Sequence, residues 1–439
     1  MSRKTNAATA EALETGQDIA LFGLEQDGRH DRARPIPRIS IQAFCEDGET
    51  ADVIQAAAED RRLSKAHVSV HMGGAVAAVA HYQESPTPNL IMIESTLPRE
   101  DMLGQLDALA ECCDAGTKVM IIGHINDVVL YRELLKRGVS EYVVAPVEPI
   151  QLLESLSNLY NDPDSDPVGS VIAFIGAKGG VGSSTVCHNV AWAISEHLKT
   201  NVVVADLDLA FGTAGLDFNR DPAQGIFEAL QSPERFDEML LERLLDKCTD
   251  YLSIFAAPAV LDREFDITGD ACDVVLDIVR QNVPVVAVDL PHLWTPWAKR
   301  VLMQADQVVV TATPDLANLR NAKNIFEQLK TARTNDSAPH LVINMAKVPK
   351  RAEIDIKEFA AAVGIDPTVV IDFDTEHFGQ ASNNGQMIEE LSAKAKAAGQ
   401  FRDLAMGLAN RREMKVEKKP AVSAGSAFAP LLAKLKFKR

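Results

Sequence analysis

The chain has 439 residues, a formal net charge of -18 and 46% hydrophobic residues, which predicts two or three domains at roughly 100–200 residues each, with sizeable cores. The acidic balance argues against broad, sequence-independent DNA binding, whose affinity comes from Lys and Arg neutralising phosphates, and leaves only a local basic patch open. The six cysteines show no metal-ligand or CxxC spacing, and neither a signal-peptide core nor a run of about 18 apolar residues is present, so the expected class is a reduced, cytoplasmic protein.

Residues 1–36 are polar and mixed in charge, and read as a disordered leader. From Ile39 the chain alternates strands and helices. The expected strands are Ile39–Phe44, His67–His71, Asn89–Ile93, Lys118–Ile122 and Glu141–Val144, with helical patterns at Asp52–Asp60 and Val128–Lys136. Five strands in so short a span predict a parallel, doubly wound α/β domain over residues 37–160. This domain resembles a response-regulator receiver with its phosphorylation chemistry dismantled. Glu94 stands at the end of the third strand where the resemblance implies an aspartate. Gly123 stands where a Thr or Ser hydroxyl is implied, and Ala145 where a lysine is implied. Glu94 reads either as a mimic of a charged acceptor or as one exposed loop carboxylate, and the second reading is preferred. A pseudo-receiver of this kind is expected to bind proteins.

Residues 161–168 form an acidic, proline-rich linker. A second α/β series follows over residues 169–412. Its expected strands are Val171–Ile175, Val202–Asp206, Ser253–Ala256, Val285–Asp289, Gln307–Thr311, Leu341–Asn344 and Val369–Ile371. Between the first of these and a helical pattern at Val186–Leu198 lies Gly176-Ala177-Lys178-Gly179-Gly180-Val181-Gly182-Ser183-Ser184-Thr185. Strand, glycine loop and helix is the context in which backbone N–H groups cradle phosphate at a helix N-terminus. The general pattern wants Lys at position 183, and the chain has Ser183, with a lysine five residues earlier at Lys178. Asp206 and Asp208 follow the next strand, Asp289 ends a later one, and Asn344 ends another. These are the carboxyl ends where α/β sheets place ligands. Local structural readings stand beside this one: Asp206 and Asp208 could each cap a turn, and Asn344 could end its strand as a turn residue. His188 reads as a packed or surface histidine, and Trp294 and Trp297 as apolar core or interface residues.

Lys178-Gly179-Gly180-Val181-Gly182 resembles the deviant phosphate loop of the MinD/ParA family of ATPases. Asp206-Leu207-Asp208 and Asp289-Leu290-Pro291 resemble its second and switch motifs, and Thr313 to Ala322 the segment after the next strand. Within that family, Ser183 and the sequence around Thr313 look most like the CpaE/TadZ type of Flp/Tad pilus assembly. The resemblance implies ATP and Mg²⁺ as cofactors and an ATP-dependent homodimer. Lys178 would reach phosphates across the dimer interface, and Gly179, Gly180, Val181, Gly182, Ser183, Ser184 and Thr185 would line the phosphates. Ser184, Asp289 and Asp206 would serve Mg²⁺, Asp208 would orient the attacking water, and Asn344 would read adenine. Loss of one preorganised charge at a phosphoryl transition state costs on the order of 3–4 kcal/mol, so Ser183 predicts retained binding with weak hydrolysis. The alternatives are a non-hydrolysing scaffold in which ATP only stabilises the dimer, and a DNA-partitioning ATPase, which the acidic charge disfavours.

Residues 413–439 form a basic tail in which Phe428, Leu431, Leu432 and Leu435 share one helical face. Residues 420–439 therefore read either as a peripheral membrane contact or as a soluble tail or partner-docking helix. The expected fold class is α/β: a receiver-like, flavodoxin-like domain, then a deviant-Walker P-loop domain with a mostly parallel sheet. The expected partners are pilus or secretion assembly proteins, and the expected location is the cytoplasm, peripheral at the inner membrane or cell pole.

Overall fold

The computed structural model describes residues 35–37, 39–83, 85–114, 116–160, 169–258, 261 and 265–409. The expectations for residues 1–34, for the 161–168 linker and for the basic tail lie outside the described residues. Among the described residues, no helix is long and apolar enough to cross a membrane.

The first sheet holds β1 (Ser40–Cys45), β2 (His67–Met72), β3 (Leu90–Ser95), β4 (Lys118–Gly123) and β5 (Glu141–Val144). Its order is β2-β1-β3-β4-β5 and every neighbouring pair is parallel, the flavodoxin-like doubly wound arrangement. Side chains alternate between two faces because the strand period is two. Ile41, Ala43, Leu90 and Met92 pack with α1 (Gly48–Ala58), while Phe44, Ile91 and Ile93 pack with α2 (Gly74–Tyr82) and α3 (Arg99–Ala110). Helix α4 (Val128–Lys136) joins the second face through Leu130 and Leu134, and α5 (Pro149–Tyr160) joins the first through Ile150 and Leu153. Asp47 and Asp127 start their helices by accepting the N–H groups of Glu49 and Val129.

The second sheet holds β6 (Ser170–Gly176), β7 (Val202–Asp206), β8 (Asp246–Lys247), β9 (Leu252–Phe255), β10 (Val285–Asp289), β11 (Gln307–Ala312), β12 (His340–Ala346) and β13 (Val369–Asp372). Its order is β13-β12-β11-β6-β10-β7-β9-β8, parallel except for the β8–β9 pair. The two-residue β8 escaped the sequence reading because it is too short to show alternation. Ile172 and Phe174 of β6 pack with α6 (Ser183–Leu198), while Val171, Ala173 and Ile175 pack with α7 (Gly269–Asn282), α8 (Pro296–Gln304) and α9 (Leu316–Ala332). A last helix, α10 (Lys396–Leu408), closes the α6 face through Phe401 and Leu404. β6 lies between β11 and β10, so the glycine loop that follows it emerges from the middle of the sheet's carboxyl edge.

The two units meet at the opposite, amino edge. Arg61, between α1 and β2, donates to Asp336 Oδ2 at 2.7 Å and to the Gln304 carbonyl at 3.0 Å. Arg62 bonds Asp60 at 3.1 Å and Asp336 at 2.5 Å, and Arg333 closes on the same Asp336 at 2.8 Å. Lys65 pairs with Asp277 of α7. Asp336 lies between α9 and β12, and Gln304 ends α8 just before β11. The first unit is therefore docked at the end of the second sheet away from the glycine loop.

Candidate functional site

The loop between β6 and α6 has the backbone that phosphate cradling requires. Gly180 and Gly182 adopt φ of +79° and +84°, the left-handed region that glycine enters without strain. A Cβ at Gly182 would also stand 2.5 Å from Asn344 Nδ2. The loop is braced from several sides: Ala177 donates its N–H to the Thr311 carbonyl at 2.8 Å, and Asn321 Nδ2 donates to the Ala177 carbonyl at 2.8 Å. His292 Nδ1 lies 2.8 Å from the Gly176 carbonyl. Lys178, Gly179 and Gly180 are exposed at the tip, and Ser183 and Ser184 open α6. The Ser183 Oγ is buried without a hydrogen-bond partner. Lys178 is near Asp315, whose carboxyl is held low. Burial alone would raise it, but hydrogen bonds from the Asn318 N–H and the Thr313 hydroxyl outweigh that, with Lys178 adding to them.

The strand-end acids converge beside the loop. Asp206 and Asp289 are register partners on β7 and β10. Asp206 accepts the N–H groups of Asp208 and Ala214, both at 3.1 Å, so the capping reading holds for this residue. Burial, and then the charge of Asp289, pushes Asp206 above the ordinary carboxylate range. Burial likewise raises Asp289, against the lowering effects of His188 and the Ser184 hydroxyl. Asp289 is 1% exposed, and neither of its carboxylate oxygens takes a hydrogen bond of ordinary geometry. A buried carboxylate left open in this way, next to a serine hydroxyl, is a donor set suited to Mg²⁺, which uses one or two carboxylates together with phosphate oxygens. Asp208 is half-buried and accepts the Phe211 N–H at 3.2 Å.

His188 is packed, as expected of it, but not inertly. It is 0% exposed, with Nδ1 at 2.7 Å from Asp217 Oδ2 and Nε2 at 3.6 Å from Asp289 Oδ2. Its i, i+4 relation to Ser184 puts both on one helix face, which is the signal in the sequence that could have found it. Asp217 carries no such signal. It lines a cavity of about 370 Å³ together with Gly182, Thr185, Asn344, Phe373 and Ser382. The Phe373 and Ser382 wall was missed as well, because nothing local ties that segment to the loop. Asn344 is committed to the loop: Nδ2 donates to the Val181 carbonyl at 2.8 Å and Oδ1 accepts the Met345 N–H at 2.9 Å. Its amide braces the phosphate loop from the cavity wall, a local role beside which base reading is an additional demand. Trp297 packs against the core, whereas Trp294 is 48% exposed beside a groove between the segment after β10 and α9.

In the first unit, the preferred reading of Glu94 as an exposed loop carboxylate is corrected, since Glu94 is 1% exposed. Its Oε2 accepts the N–H groups of Glu46 and Asp47, both at 2.8 Å, and its Oε1 accepts the Thr50 hydroxyl at 2.6 Å. His124 Nε2 lies 3.2 Å from Oε1. Burial would raise this carboxyl, but the Thr50 hydroxyl and the two backbone N–H groups outweigh it and hold it below the ordinary range. A hydroxyl-bearing residue at 123 has no room, because a Cβ there would meet the Tyr142 hydroxyl at 2.3 Å. Tyr142 donates instead to the Ile125 carbonyl at 2.7 Å.

No family model matches the chain. It is 27% identical over 258 residues to the septum site-determining protein MinD of Bacillus subtilis, covering 54% of this chain and 88% of that one. The solved pilus assembly protein CpaE of Caulobacter crescentus is 50% identical, covering 29% of this chain and 98% of that chain with a TM-score of 0.29. The MinD of Pyrococcus horikoshii, solved with Mg-ADP, is 17% identical with a TM-score of 0.50 over 57% of this chain and 99% of that one.

Proposed function

Because the chain belongs to the MinD/ParA family of P-loop ATPases, with CpaE pilus assembly proteins among its relatives, we propose that it is a nucleotide-dependent dimeric switch that positions the Flp/Tad pilus machinery. The observation that carries this reading is the convergence of the Lys178–Thr185 loop, Asp206, Asp289 and the cavity on one sheet edge. The backbone N–H groups from Gly180 to Ser184 would cradle phosphate, and Thr185 on the cavity wall would contact it further. Ser184 and Asp289, supported by Asp206, would hold Mg²⁺, which neutralises phosphate charge when bound. Asp208 would orient water, and Lys178, exposed at the loop tip, would reach the second copy's nucleotide. Asn344 would face the base only through what its loop-bracing hydrogen bonds leave free.

Ser183 in place of a cationic side chain supports slow turnover and equally a scaffold in which ATP only stabilises the dimer. A pilus assembly partner and a site at the inner membrane or cell pole accompany either version. The test is oligomeric state with ADP and with ATP, paired with turnover, for the wild type, Lys178→Ala and Asp208→Ala. The switch version expects ATP-dependent dimers lost in Lys178→Ala, and slow turnover lost in Asp208→Ala. Dimers that form with no measurable turnover select the scaffold; nucleotide that changes neither assembly nor turnover sinks both.

A further inference from the structure

We propose that His188 is a positioning residue for the divalent cation, holding the Asp289 carboxylate in place while Asp217 fixes the imidazole ring. The proposal rests on the nucleotide-binding reading above and assigns a task to residues which that reading leaves unused. His188 is fully buried, and its Nδ1 edge is tied to Asp217 at 2.7 Å. Asp217 is in turn held by the Thr213 hydroxyl at 3.1 Å, in the short Ala214–Asp217 helix whose first N–H binds Asp206. The Phe218 ring lies 5.5 Å from the imidazole. With one edge fixed and its flank covered, the ring has one free polar edge, Nε2, and that edge faces Asp289 at 3.6 Å.

The pairing is left open on both sides. Nε2 and both Asp289 oxygens are buried with no hydrogen bond of ordinary geometry, the Ser184 hydroxyl being the other polar group beside Asp289. A histidine that merely filled the core would leave three polar atoms unsatisfied for no return, which folded proteins rarely tolerate. The arrangement is accounted for if Asp289 is held beside Nε2 and completed by a cation on its other side. Groups that orient metal-shell ligands in this way typically change metal affinity 10–100-fold when removed. Asp217 also lines the cavity, so the bridge Asp217–His188–Asp289 joins the cavity wall to the cation site.

The experiment is calorimetric titration of ADP into the full-length chain, first with EDTA and then at stepped Mg²⁺ concentrations. His188→Asn keeps a donor near Asp217 and removes the Nε2 edge; Asp217→Asn keeps the side-chain shape and loosens the ring. Both are expected to raise the Mg²⁺ concentration for half-maximal enhancement about tenfold or more. For His188→Asn, which does not touch the cavity, ADP affinity in EDTA is expected to stay unchanged, and for Asp217→Asn the shift in Mg²⁺ midpoint is expected to exceed any change in EDTA. His188→Gln, whose amide reaches the Nε2 position, is expected to recover part of the loss. If His188→Asn does not fold, Asp217→Asn carries the test. An unchanged Mg²⁺ midpoint in the variants overturns this proposal and leaves the nucleotide reading standing, as does an equal loss with and without Mg²⁺. A wild type that binds no ADP overturns the nucleotide reading itself.

Discussion

Glu94 is a charge that the first unit cannot easily do without. It satisfies two backbone N–H groups at the β1–α1 junction and one hydroxyl, and it is buried while doing so. A carboxylate held low in the folded state contributes stability above its unfolded value of 4.5 and loses it as pH falls through the lower folded value. Glu94→Gln is therefore expected to cost about 1–3 kcal/mol at pH 7, and the cost should shrink in acid below pH 4.5. Urea denaturation of both proteins at neutral and acid pH would measure this; a cost that stays constant down the pH range would show that the carboxylate charge is not what matters. The identity of residue 94 was legible as a departure from the receiver pattern. Its burial was not, because the groups that meet it come from the β1–α1 junction and α1, more than forty residues earlier, and from His124, thirty residues later.

Among the elements, the β6-loop-α6 unit was readable almost whole, since a buried strand, a glycine loop and a helix each leave a local signature. β10 (Val285–Asp289) and α4 (Val128–Lys136) fall where the sequence pattern places them. The loop's conformation depends on Gly182, where positive φ and the neighbouring Asn344 amide both exclude a side chain. Gly182→Ala combines backbone strain of about 1–3 kcal/mol with displacement of the Asn344 brace. It is expected to lower the melting temperature and to abolish ADP binding, whereas Gly179→Ala, with open space at its Cβ position and no positive φ, should leave stability nearly unchanged. Equal melting temperatures for the two variants would count against the bracing role of Asn344. The role of α6 in bringing His188 to Asp289 was not readable from its apolar spacing, which describes a helix face and not what that face meets.

For the whole molecule, the consequential fact is that the two units are joined at their amino edges by buried ion pairs. Asp336 is the hub, shared by Arg61, Arg62 and Arg333, all of them largely buried. Removing one member of such a network leaves the others uncompensated, at a cost of about 3–5 kcal/mol. Asp336→Ala should therefore destabilise the full chain by that amount and separate the unfolding of the two units, seen as two calorimetric transitions. A single transition at an unchanged midpoint would mean the dock contributes little. Burial would raise Asp336, but Arg61, Arg333 and Arg62 hold it below 3.8. The contribution is then complete above pH 3.8 and is lost only as pH falls further. Docking at this edge leaves the Lys178 loop and the Glu94 edge of the first sheet uncovered by one another.

By itself, the sequence determined two α/β series, the positions of nearly all their strands along the chain, and the phosphate-type loop with its displaced lysine, missing lysine and strand-end acids. Those features are written in periods of two and 3.6 and in residues adjacent to strand ends, so short windows carry them. Tertiary structure alone decided that Glu94 is buried, that Asn344 braces the loop, that His188 is bonded to Asp217 with its other edge facing Asp289, and that Asp336 ties the units together. Each of these depends on polar groups from distant segments meeting out of water, where an unpaired partner is costly, and no local pattern records which distant group will be there.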